Sequence, residues 1–243
     1  MKVKDLDIVY TIKDSPDNEE LRYSLRSLRN FPHRKVFIYG GLPSCVNPES
    51  VTFVKVSQDY NDKWTNTASL LIRIAEDENI TEDFVWFNDD FFVMKKMSEL
   101  DYFYDRKLND RIRDFEKRSF LSSRGKYAQR LRRAEWALKA KQKPTLNFEI
   151  HTPMIFNRKK LLDIIKQFPG YGAKRSLYGN CCVDNAIQRD DVKIFKYDQK
   201  PTGEEDFLST TDGTFRKGEV GKFIRSKFRA RSPYELDNKK EAK

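Results

Sequence analysis

The stretch "DFVWFNDDFFVM", residues 83–94, constrains the fold more than any other. Its flanks are apolar and aromatic, the composition of a strand buried on both faces. Its centre is Asn88, Asp89 and Asp90. A carboxylate is costly to bury unless it is paired or holds a cation. The run therefore reads as a core strand that delivers two acids into a crevice at its carboxyl end, where open α/β sheets bind ligands. The plainer alternative is a strand end whose two acids are simply solvated.

The residues before it carry matching periodicities. "LDIVY" (6–10), "KVFIYGG" (35–41) and "VTFVKV" (51–56) predict short strands. "ELRYSLRSL" (20–28) predicts a helix capped by Asp17 or Asn18 and ended near Asn30 and Pro32. Helical spacing puts Leu21, Leu25 and Leu28 on one stripe and Arg22, Arg26 and Arg29 on another. "TNTASLLIRIAEDE" (65–78) predicts a second helix. This βαββαβ-like order predicts an α/β fold, a mixed sheet flanked by helices. A length of 243 residues suits a single domain spanning 1–243. Downstream, 145–157 and 192–197 predict strands, and 158–168 and 177–190 predict helices.

Composition changes near residue 105. Between Asp105 and Lys143 stand fourteen Lys and Arg against five Asp and Glu, a net of +9 beside +10 for the whole chain. The stretch reads as a basic helical insert or lid with few large apolar residues, exposed rather than core. The tail from Arg216 to Arg231 has seven Lys and Arg against one Glu. Such a balance favours an anionic partner: nucleic acid, phosphorylated sugar or an anionic surface. Arginines interleaved with Tyr127 and Trp136 suit a phosphate backbone and an exposed base. The nucleic-acid contacts expected are Arg124, Lys126, Arg130, Arg132, Arg133, Trp136, Arg225 and Arg229. The alternative is a solvated helical lobe.

Cys45, Cys181 and Cys182 are read as reduced thiols, implying a cytoplasmic protein. No apolar run reaches membrane-spanning length, and the N-terminus lacks a signal-peptide core. In "FEIHTP" a strand would place Glu149 and His151 on one face, a carboxylate beside a general base. A lone histidine can equally be structural. His33, in "NFPHRK", reads as a loop residue.

Four ordered motifs carry a resemblance: "DIVYT", "ELRYSLRSL", "FNDDFF" and "HTPMIFNRKKLLDIIKQFP". Across roughly residues 7–170 they resemble the Stealth family of sugar and sugar-phosphate transferases. The shortened form, ending in "SPYE", is similar to short phage-encoded glycosyltransferases. The resemblance implies a GT-A-like fold, a Mn²⁺ or Mg²⁺ ion and a nucleotide-diphosphate-sugar donor, UDP-sugar first among them. It implies catalytic roles for His151, Asp89 and Asp90, with the two acids on the metal, and Arg22 or Arg26 near the donor. Glu149 and Asp184 are further catalytic candidates, and Thr11, Asn66, Asn88 and Asp89 further donor-binding candidates. The short phage-like form and the basic charge together point to hydroxymethylated pyrimidines in DNA as acceptor. The Stealth pattern alone implies hexose-1-phosphate transfer to a glycan. A non-catalytic nucleic-acid-binding protein on the same scaffold is the third reading.

Overall fold

Parallel strands form where apolar runs alternate with amphipathic helices. The computed structural model describes residues 1–58, 63–115, 122–170 and 172–236. In chain order β1 (Asp7–Ile12), α1 (Glu19–Ser27), β2 (Val36–Gly40), β3 (Thr52–Lys55), α2 (Lys63–Glu76) and β4 (Asp83–Phe87) build the expected βαββαβ unit. After β5 (Phe91–Val93), β6 (Phe103–Tyr104), α3 (Leu108–Arg113) and α4 (Ser123–Ala140), β7 (Met154–Asn157) closes the sheet. The order is β3-β2-β1-β4-β7, with β7 antiparallel. β1 lies at the centre, pairing Ile8 with Val36 on one side and with Val85 on the other.

The two-residue period of the strands splits the core. Val9, Phe37, Tyr39, Phe84 and Trp86 face one layer, where Leu70, Ile74, Leu131 and Leu138 pack. Ile8, Tyr10, Ile38, Val85 and Phe87 face the other, against Leu21, Leu25 and Leu28. α5 (Arg158–Gln167) and α6 (Lys174–Cys182) complete the first layer. β8 (Ile187–Gln188) pairs with β6, and β9 (Phe207–Ser209) with β5. α7 (Asp212–Lys217) and α8 (Glu219–Lys227) pack Phe215, Val220 and Ile224 onto Phe92 and Leu208.

Several expectations are corrected. The 105–143 stretch is no exposed lobe: Leu131, Ala134 and Leu138 are fully buried in the main core. Four small or apolar residues at helical spacing, Ala128, Leu131, Ala134 and Leu138, suffice to seat α4 despite the surrounding charge. Residues 146–151 are not a strand beyond one bridge from Leu146 to Lys107. The helix expected at 177–190 begins at Lys174 and ends at Cys182. The strand expected at 192–197 reduces to a single bridge, Lys193 with Ser209.

Two of the three arginines of the α1 stripe, Arg26 and Arg29, are explained by the tail. Arg26 makes a two-pronged ion pair with Glu235, at 2.9 and 2.7 Å, and donates to the Phe228 carbonyl. Arg29 donates to the Ala230 carbonyl. His33 Nε2 meets the Tyr234 hydroxyl at 2.6 Å, and Val46 bridges to Glu235. The "SPYE" segment is thereby strapped against α1 and the loop after β2.

Candidate functional site

The carboxyl ends of β1, β2 and β4 share one edge of the sheet, because these strands run parallel. At that edge the chain passes straight from β4 into β5, which leaves to pair with β9. The break falls on Asn88, Asp89 and Asp90, all half-buried. Asn18, which caps α1 by accepting from the Leu21 amide, donates to Asp89 Oδ2 at 2.7 Å. Asp90 Oδ2 takes the Lys193 ammonium at 2.7 Å and the Ser209 hydroxyl at 3.1 Å.

Two further acids join them. Glu20 accepts from the Thr210 hydroxyl, and Asp212 begins α7. Burial, opposed by the Thr210 bond and reinforced by Asp212, Asp90 and Asp89, pushes Glu20 up to about 8. Burial and the adjacent Asp90 charge push Asp89 up to about 6, against the Asn18 bond. Burial and mutual repulsion among these carboxylates both favour the protonated forms of Glu20 and Asp89. The carboxylate oxygens of Asp89 and Asp90 are the ligand type a hard divalent cation takes, although Lys193 engages one of the Asp90 oxygens. Among the described residues no three Asp, Glu, His or Cys side chains converge as ligands. A cation on Asp89 and Asp90 would thus complete its shell from diphosphate oxygens and water, as Mg²⁺ commonly does.

Opposite the acids stands His151. Its Nδ1 lies 2.9 and 3.0 Å from the two Asp191 oxygens, and its amide donates to the same carboxylate. Burial opposes ionisation of Asp191, but the hydrogen bonds and charge of His151, with the Arg111 charge, hold it down to about 2. An ionised Asp191 selects the tautomer with hydrogen on Nδ1 and leaves the Nε2 lone pair for a substrate proton. The His151 side chain is partly exposed, at 27%. Segment 191–193 ties the two halves together: Asp191 holds His151, and Lys193 holds Asp90.

Arg175 lies beneath both halves. It is 5% exposed, stacks over Trp86 at 4.7 Å and Phe91 at 5.3 Å, and donates to the Ile150 and Thr152 carbonyls. Its Nη2 is buried with no hydrogen-bond partner among the described residues. Burial lowers its pKa to about 10, against the pull of Glu149, Asp90 and Asp191. An unsatisfied guanidinium N–H is suited to an anionic oxygen. Sequence reasoning missed Arg175 because the helix was expected to begin after it. Asp191 was missed because it lies 40 residues from its partner, in irregular chain.

The other expected residues divide. Thr11, next to the last residue of β1, accepts from the Trp86 indole at 3.1 Å. Asn66 is half-buried in the first turn of α2, which follows β3 and so opens at the same edge. Arg22 is half-buried against Cys45, and its Nε is buried without a hydrogen bond among the described residues. Arg26 is corrected from donor ligand to tail anchor by its pairing with Glu235. Glu149 does not flank His151 on a strand. Its buried carboxylate accepts the Ser176 amide at 2.8 Å and so caps α6, with burial raising its pKa. Asp184 is exposed beyond Cys182, at the end of α6 away from Arg175.

Of the expected nucleic-acid contacts, Arg124, Lys126, Arg133 and Trp136 are exposed on α4, Trp136 by 62%. Arg132 is half-buried, and Arg130 packs its aliphatic stem against Gly172. Tyr127 packs edge-on to Phe115 and against the core, so it offers no face for a base. Arg225 is held by Glu19 in a two-pronged pair and stacks on Phe215 at 4.5 Å. Arg229 is exposed.

No protein-family model matches the chain, and no curated protein does. Distant likenesses to solved structures include sugar transferases. An active-site mutant of LgtC gives a TM-score of 0.41 at 9% identity, over 75% of this chain and 72% of that one. GlyE of Streptococcus pneumoniae TIGR4 gives 0.34 at 11%, over 77% of this chain but only 46% of that one. The apo form of mouse xyloside xylosyltransferase 1 gives 0.39 at 10%, over 94% and 95%. At this level of similarity they bear on no residue and no substrate. Among the described residues no helix is long and apolar enough to cross a membrane.

Proposed function

We propose that the chain is a glycosyltransferase of GT-A-like fold that moves a sugar from a nucleotide-diphosphate-sugar to a hydroxyl acceptor. One observation carries the reading. A carboxylate pair, an Asp-oriented histidine and a buried arginine with a spare N–H converge at the carboxyl edge of a parallel sheet. The four ordered Stealth-like motifs supply two of these three groups, Asp89–Asp90 and His151.

The residues divide the chemistry. His151 Nε2 takes the proton of the acceptor hydroxyl, and Asp191 stabilises the imidazolium that forms. The acceptor oxygen bonds to the anomeric carbon as the bond from that carbon to the diphosphate breaks. The nucleoside diphosphate leaves with the electron pair. Arg175 meets its growing charge from beneath, the kind of pre-placed donor that stabilises a transition state. Bound Mn²⁺ or Mg²⁺ would neutralise diphosphate oxygens, held by Asp89 and Asp90.

For the acceptor we favour hydroxymethylated pyrimidine in DNA, because exposed cations line α4 at Arg124, Lys126 and Arg133 and the whole chain carries +10. Hexose-1-phosphate transfer to a glycan is the second reading. Arg175 favours it, since its Nη2, with no hydrogen-bond partner among the described residues, also suits a phosphoryl group in flight. Incubation with a pool of nucleotide-sugars, hydroxymethylated DNA and a glycan acceptor, followed by mass spectrometry, decides. Addition of a hexose mass to DNA is expected. Addition of hexose plus phosphate to the glycan would replace it with the second reading.

A further inference from the structure

Residues 193–200, "KIFKYDQK", form no regular element, yet they are fixed at several points. Ile194 is buried in the third core cluster, its amide donates to the Ser209 carbonyl at 2.9 Å, and its carbonyl accepts from Thr214. The Tyr197 carbonyl accepts the Glu219 amide at 2.8 Å. Between these anchors Phe195 and Tyr197 are turned outward, 56% and 54% exposed. Two large aromatic rings within three residues, left in water on a braced segment, stand apart from singly scattered apolar residues.

Their position gives them a use. Lys193, two residues before Phe195, holds Asp90. Two residues span at most about 7 Å of chain. The Tyr197 ring lies over Gly213, where a Cβ would strike its hydroxyl, and Gly213 follows Asp212 of the acidic group. Both rings therefore rim the edge of the site on its Asp90–Asp212 side. Exposed Lys196 and Lys200 interleave with them, and exposed Arg216 and Lys217 stand on α7 beside them. Asp198 and Glu219 line the shallow hollow next to Tyr197, and Glu219 is neutralised by Lys222 at 2.7 Å. Flat aromatic faces set among cations are the arrangement that grips single-stranded nucleic acid, by stacking bases and attracting phosphates. Uncharged glycan gains nothing from the lysines.

We infer that Phe195 and Tyr197 form a stacking platform for an unpaired base of the acceptor strand, holding it beside Asp90. The inference rests on the DNA-acceptor reading and deepens it. A base must leave the duplex stack before an active site can reach it, and a platform at the rim offsets part of that cost.

The test uses the full chain and fluorescence anisotropy with a 12-nucleotide single strand, compared with the same strand made abasic. Stacking is worth about 1–3 kcal/mol per base. The double variant Phe195→Ala/Tyr197→Ala is expected to bind the normal strand about fivefold or more weakly, and the abasic strand unchanged. Tyr197→Phe, which keeps the ring, should bind as wild type does. Both rings are more than half exposed, so their truncation leaves the core intact. Equal losses on normal and abasic strands would overturn the platform, and so would no loss on either. If the wild type binds neither strand, the DNA reading itself falls and takes the platform with it. If it binds only an oligosaccharide, and the double variant loses that, the occupant is a sugar ring and the base is wrong.

Discussion

Asp89 and Asp90 differ in partner though they are neighbours. Asp89 faces the capped end of α1, while Asp90 is claimed by Lys193 and Ser209. Asp89→Ala or Asp90→Ala is expected to lower transfer at least about 10²-fold; the melting temperature should stay close to wild type for Asp89→Ala and fall for Asp90→Ala, which strands Lys193. EDTA should do the same, and Mn²⁺ or Mg²⁺ should restore the wild type alone. Full turnover in EDTA would remove the cation. For His151→Ala the expected loss is about 10²–10⁴-fold in turnover with donor affinity kept, as for loss of a general base. Asp191→Asn should cost at least tenfold in turnover, because an amide no longer enforces the productive tautomer. Isothermal titration with UDP-sugar, beside a rate assay, separates these outcomes from weakened donor binding. At this scale the sequence was readable where chemistry contradicts its surroundings, as with two acids inside an apolar run. It was silent on Asp191 and Arg175, whose roles arise from contacts across the fold and leave no local pattern.

Elements were legible in proportion to the purity of their period. β1 to β4, α1, α2 and α5 emerge near the expected residues because one face of each is cleanly apolar. α4 was misjudged because its inward residues, Ala128, Leu131, Ala134 and Leu138, are few and mostly small among many charges. The same geometry sharpens what its outer face can do. Arg124, Lys126 and Arg133 are exposed, whereas Arg130 lies against Gly172. If α4 grips a DNA backbone, replacing those three exposed residues together with alanine removes up to three phosphate contacts. The slope of log affinity against log salt should then flatten by about two to three units, at about 0.9 per contact. Anisotropy of a duplex probe from low to moderate salt measures it. UDP-sugar binding should be unchanged, since the donor edge lies with Arg22, Asp89 and Asp90. An unaltered slope would leave α4 a solvated face.

On the scale of the whole molecule, the tail closes what the sheet begins. Residues far apart in sequence meet at Arg26 and Glu235, side chains 10% and 4% exposed, where three carbonyls of 228–230 also accept from the Arg26 and Arg29 guanidiniums. This was not legible from α1 alone, where an arginine stripe reads as either a solvated face or a phosphate clamp. Only the fold shows that Arg26 and Arg29 of the stripe face the irregular tail of the same chain. Breaking a buried pair by removing one partner strands the other charge, at a cost of about 3–5 kcal/mol. Arg26→Ala is expected to destabilise by that order in urea unfolding, and Arg26→Ala/Glu235→Ala by less than the sum of the single changes. The pH dependence has a definite sign. Burial opposes the ionised form of Glu235, but the Arg26 and Ser232 hydrogen bonds prevail and hold its folded pKa below the ordinary glutamate value of 4.5. The folded state therefore binds fewer protons than the unfolded state as pH falls below about 4.5. The contribution of the pair is fully present above that pH and is lost as pH drops through the depressed folded value. Wild type should lose stability more steeply than Glu235→Gln between about pH 4.5 and 3, and the two curves should run parallel above pH 5.5. Urea midpoints across that range measure the difference. Parallel curves throughout would mean that Glu235 gains nothing from its charge and that the tail is held by packing and carbonyl contacts alone.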